Sequence, residues 1–116
     1  MNIFEARNEI IGNNPIIDDD GRQEKLAEVA INIALNHPQA IVIDDVTYLV
    51  HDGSREIAYV IASATGAGEP NEAGVFVTAA TEVCAPGFAM KVGDGYPEIV
   101  APEDVEAILE EVGQDA

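Results

Sequence analysis

Apolar and polar residues follow a helical period at both ends of the chain and give way to short apolar runs in its middle. Ile3, Phe4, Ile10 and Ile11 fall on or near one side of a short helix over 2–11. Asn2 is placed to cap it, with Glu5 three residues on, and Gly12 to stop it. Asn13-Asn14-Pro15 breaks the pattern. A second helix is expected over 21–36, capped by Asp20 with Gln23 reaching back. Its apolar face is Leu26, Val29, Ala30 and Ile33, widened by Ala27, Ile31 and Leu35. His37-Pro38 ends it, because a residue before proline avoids the α region.

The runs Ile41–Ile43, Val46–Val50 and Ile57–Ile61 are β-branched and aromatic, separated by Asp44-Asp45 and by Asp52-Gly53-Ser54. They predict three consecutive antiparallel strands joined by tight turns. Residues 63–74 read as a mobile, small-residue loop, long for a hairpin. Strand character resumes over Val75–Ala80 and again over Phe88–Val92, with a short edge strand at Glu98–Val100. Gly93-Asp94-Gly95 makes the intervening stretch irregular. A final helix over 102–112 has Pro102 as its first residue, Glu103 and Asp104 in the first turn, and Gly113 as its stop. Val105, Ile108, Leu109 and Val112 form its apolar stripe.

The expected architecture is one α+β domain over 1–116. It has a mainly antiparallel sheet of three to five strands, with helices 21–36 and 102–112 packed on one face. With 47% hydrophobic residues, a core needs no disulfide or metal, but 5% aromatics and no Trp leave Ile, Val, Leu and Ala to fill it. No apolar run approaches the roughly 20 residues of a membrane helix. Met1–Arg7 lacks the basic-then-apolar layout of a signal peptide. A cytoplasmic protein without membrane association is the expectation.

Charge changes the picture most. Twenty-two acidic residues face five basic ones, a net charge of −17. A folded domain of this size exposes about 6,000 Å², so each net charge has roughly 350 Å². Duplex DNA carries a phosphate on about every 100 Å². The surface therefore resembles a polyanion only where its acids gather on one side. Direct binding of nucleic acid or an anionic membrane is disfavoured by long-range repulsion. A basic protein surface is the favoured partner; thirteen Ile and more Glu than Asp argue against simple salt adaptation.

Candidate chemistry is sparse. Asp18-Asp19-Asp20-Gly21 lacks the alternating acids of a calcium loop, since Ile16 and Ile17 precede it, and a helix cap explains it. His51-Asp52 lacks the further His and Asp ligands of a metal hydrolase. Cys84, the only cysteine, excludes an intrachain disulfide and a multi-thiolate metal site and reads as a buried hydrophobe. A dyad of Cys84 with His51 or His37 has no accompanying orienting motif. Thr65-Gly66-Ala67-Gly68 lacks the third glycine of a dinucleotide turn, Asn71 standing in its place. No cofactor and no metal are expected.

The last helix is the informative anomaly. Glu103, Asp104, Glu106, Glu110 and Glu111 lie on it, and no Lys or Arg occurs from 92 to 116. Glu106 and Glu110 repel at i, i+4, and Glu110 and Glu111 sit at the negative end of the helix dipole. These five are the candidate partner-binding residues. The physical pattern looks like that of small phage or mobile-element inhibitors that present acidic surfaces to nucleic-acid enzymes. The leading expectation is a non-enzymatic acidic interaction protein, acting as an inhibitor or nucleic-acid mimic. The alternatives are an assembly subunit that self-associates through its sheet, and a small hydrolase using Cys84 or His51.

Overall fold

A computed structural model describes residues 2–12, 19–93 and 97–114. The breaks expected at Asn13-Asn14-Pro15 and at Asp94-Gly95 lie outside these residues. The chain opens with α1 (Ile3–Arg7), continued by a π-helical turn (Asn8–Gly12). The Asn2 side chain caps α1 as expected, accepting from the Glu5 amide at 2.9 Å. Glu5 returns to the Asn2 side chain rather than to its backbone, at 3.3 Å. Helix α2 (Asp19–Leu35) begins earlier than expected, so Asp20 is helical and not its cap.

The hairpin β1 (Ile41–Ile43) and β2 (Val46–Val50) forms as the β-branched runs and the Asp44-Asp45 turn predict. Asp44 and Asp45 make its turn with φ of 51° and 66°. Two successive positive φ values are the mark of a type I′ turn, where Asn-Gly is the favoured pair. Asp45→Gly should therefore raise stability by about 0.5–1 kcal/mol, since glycine takes the left-handed region without a Cβ clash. Urea unfolding checks this, and a loss of stability would mean that the Asp45 side chain supports the turn.

The third expected strand is a helix. Segment 55–64 forms α3 (Arg55–Ala64), and every residue from Ile57 to Ala64 is buried. The helix does carry its own period, with Ile57, Val60, Ile61 and Ala64 at i, i+3, i+4 and i+7, but the β-branched and aromatic run Ile57–Ile61 imitates a short buried strand. Its ends are nonetheless encoded locally. The Ser54 hydroxyl accepts from the Ile57 amide, and Asp52, read as part of a hairpin turn, accepts from the Ser54 amide at 2.9 Å. Hydrogen bonding from Ser54, first of all from its amide, holds the Asp52 carboxyl below its usual pKa. At the other end Gly66 adopts φ 73°, and Ala67 N–H donates to the Ala62 carbonyl at 2.8 Å. That is a Schellman closure, not the start of a mobile loop.

Strand β2 pairs instead with β5 (Ala89–Val92), and β5 with the edge strand β6 (Pro97–Val100). The sheet is wholly antiparallel, in the order β1-β2-β5-β6. Between α3 and β5 a separate hairpin pairs β3 (Phe76–Val77) with β4 (Val83–Cys84). The strand expected over Val75–Ala80 is this short because a turn through Thr78–Thr81 follows.

The α+β class is as expected, and the register divides the layers. Thr47, Leu49, Met90 and Val92 share one sheet face. Leu49, Met90 and Val92 join one core with Leu26, Ala30 and Ala34 of α2 and Ile57, Val60 and Ile61 of α3. Val29 and Ile33 only flank this core, and Leu35 is exposed, so the buried row of α2 is turned towards Ala34. The last helix, α4 (Pro102–Gln114), lies on the opposite face. Its Val105, Ile108 and Leu109 line one small space with Ile41, Tyr48, Val50 and Ala89. The two helices expected to share a face thus cover different ones, and Gly113 falls within the last turn of α4.

Candidate functional site

Helix α4 carries the acids singled out from the sequence. Val105 is buried and Ile108 half-buried towards the sheet, which turns Glu103, Asp104, Glu106 and Glu110 to the surface. All four are exposed. Among the described residues none of them has an ion pair or a side-chain hydrogen bond. Glu103, Glu106 and Glu110 therefore form one exposed stripe of α4, which Asp104, also exposed, flanks; the Glu111 side chain lies outside the described residues.

The residues weighed for chemistry are engaged structurally. His51 is 1% exposed. Its Nδ1 accepts from the Gly53 amide at 3.1 Å, which places the proton on Nε2, and Nε2 donates to the Gly74 carbonyl at 2.9 Å. The ring stacks on Phe76 at 6.4 Å, and the backbone of His51 extends the β2–β5 ladder to Phe88 and Gly87. No ring nitrogen is left for a substrate or a metal. Cys84 is fully buried, and burial pushes its thiol up to about 12, far from the thiolate a nucleophile requires. His37 lies at 3.6 Å from Glu56 and accepts from the Gln39 amide. Asp19 and Asp20 are helical, Asp18 lies outside the described residues, and no metal-holding group of acids, His or Cys occurs among the described residues. No described helix is long and apolar enough to cross a membrane.

A second constellation was not anticipated. On α3, Arg55, Tyr59 and Ser63 recur at i, i+4 and i+8 and face α1. Arg7 of α1 donates to the Ser63 hydroxyl at 2.8 Å and stands 5.0 Å from the Tyr59 ring centre, with Glu69 at 4.0 Å. Arg55 stands over the Phe4 and Tyr59 rings at 5.6 and 5.5 Å. Two of the five cations in the chain thus converge on one tyrosine. Beside them opens a cleft of about 440 Å³ lined by Arg55, Ala58, Tyr59, Pro70, Asn71 and Glu72, among others. The Arg55–Tyr59 spacing would have pointed here only once 55–64 was read as a helix.

Exposed apolar side chains occur elsewhere. Val77 and Val83, paired across the β3–β4 hairpin, are 53% and 51% exposed, and Val42 on the edge strand β1 is 64% exposed. Comparison of the chain with protein-family models, with curated proteins and with solved structures found no match.

Proposed function

We propose that this protein is a non-enzymatic acidic interaction protein whose α4 surface docks on a basic protein. By this reading it occupies the polyanion groove of a nucleic-acid-binding protein, as an inhibitor or nucleic-acid mimic. The observation that carries the reading is the exposed stripe Glu103, Glu106 and Glu110, flanked by the exposed Asp104, none of them paired among the described residues. An ordinary solvated helix intersperses lysines, which contribute a few tenths of a kcal/mol per i, i+4 pair. Here that stabilisation is forgone along the whole helix. The remaining net charge steers a basic partner from a distance and repels competing polyanions.

The test compares two doubly substituted proteins of equal charge. Glu106→Gln with Glu110→Gln should leave the fold intact, slightly stabilised because a repulsive pair disappears. Retention of basic proteins from lysate at low salt should weaken by about 0.2–1 kcal/mol per lost charge, with a slower on-rate. Glu24→Gln with Glu28→Gln removes the same charge from exposed positions on α2. Equal weakening by both pairs would assign the effect to net charge and not to α4. A wild-type protein that retains no basic partner at low salt ends the reading.

A further inference from the structure

The cleft beside α3 is lined by one basic and one acidic residue, Arg55 and Glu72. They line the same 440 Å³ space, yet no ion pair joins them, and among the described residues Arg55 has no carboxylate partner at all. Opposite charges that face one cavity without closing on each other leave room for a ligand bearing both charges. The guanidinium is positioned by its two aromatic contacts, to Phe4 and Tyr59. Asn71 is fixed as well: its side-chain oxygen accepts from the Ala73 and Val75 amides, each at 2.9 Å, so the NH₂ is what it can offer a ligand. Ala58, Pro70 and Tyr59 supply apolar wall. Gly53 and Gly74 also line the cleft, and both are hydrogen-bonded to the buried ring of His51, which holds that side of the cleft in place.

The net charge narrows the class of ligand. A field of 17 net negative charges opposes the approach of a free anion to Arg55. A molecule that brings its own positive charge escapes that penalty and also satisfies Glu72. The volume lies within the range of roughly 300–1,000 Å³ typical of small-molecule sites. We infer that this cleft binds a free amino acid. Its carboxylate meets Arg55, its ammonium meets Glu72, and its side chain lies against Ala58, Pro70 and Tyr59. This binding is independent of the reading given for α4.

The experiment is a titration of isotope-labelled protein followed by amide chemical shifts. L-phenylalanine and L-leucine are compared with N-acetyl-L-phenylalanine, L-phenylalanine amide and acetate. The free amino acids should give saturable shifts at Gly53, Arg55, Asn71, Glu72 and Gly74. Each blocked derivative, and acetate, should bind at least about tenfold more weakly, the loss expected when one charged hydrogen bond is removed. Glu72→Gln, at an exposed position, and Arg55→Gln should each cost a similar factor. Should Arg55→Gln disturb the packing on Phe4 and Tyr59, Arg55→Lys keeps the charge and should retain weakened binding. Absence of saturable shifts with either amino acid overturns the proposal. So does equal binding of the acetylated or amidated form, or binding unchanged by Glu72→Gln.

Discussion

Ile61→Ala should destabilise the protein by about 2–5 kcal/mol, the range for a large aliphatic side chain removed from a closed core. Ile61 is 0% exposed in α3 and belongs to the core cluster that α3 shares with α2 and the sheet. Alanine is the better helix former by a few tenths of a kcal/mol, so the loss cannot come from helix propensity. The cost is the buried methyl groups and the void they leave. Ile33→Ala supplies the comparison. Ile33 is only half-buried on α2, so its loss should be clearly smaller, and Leu35→Ala, at 42% exposure, should cost less than about 1 kcal/mol. Denaturant unfolding of the three variants checks the order. A loss below about half a kcal/mol for Ile61→Ala would show that α3 is not at the centre of the core.

The second large effect belongs to His51. His51→Ala should cost about 3–5 kcal/mol, because it removes a buried ring and leaves the Gly53 amide and Gly74 carbonyl without partners. Gly74→Ala should cost roughly 2–4 kcal/mol for two reasons. Its φ is +79°, where a Cβ is strained, and that Cβ would lie 2.9 Å from His51 Nε2 and 3.1 Å from Cε1. The two substitutions should not add. Once the ring is gone the steric conflict vanishes, and Gly74→Ala should then cost only about 1–2 kcal/mol, the price of the backbone conformation. A double-mutant cycle that closes without coupling would refute the contact between His51 and Gly74.

Much of this fold was legible because its signals are local. The Asn2 cap, the β-branched and aromatic run Val46–Val50 and the Pro102 start of α4 each act within one turn or one strand. Helix α3 was not: Ile57, Val60, Ile61 and Ala64 carry the helical period, but over so short a stretch the β-branched and aromatic run fits a strand bounded by turn residues equally well. The error concealed a site as well as an element. Four residues apart, Arg55 and Tyr59 are about 13 Å distant along a strand but about 6 Å along a helix axis. Arg7, far away in sequence, carries no local sign that it joins them. The acids of α4 were legible as a group because one helix holds them all. That they stand free of ion pairs was not, since pairing depends on which elements pass nearby.

Among the described residues α4 is the one helix on its side of the sheet, and of its described side chains only Val105 is buried. The other helices share a core, whereas α4 can lift away without opening that core. Its amides should therefore exchange with solvent ahead of those in α3, as a separate cooperative unit of lower stability. Detachment would bare Ile41, Tyr48 and Val50 on the sheet. A partner that grips the acidic surface of α4 thus also fastens the least secured part of the molecule. Its binding would be recorded as slowed exchange along α4 and beneath it.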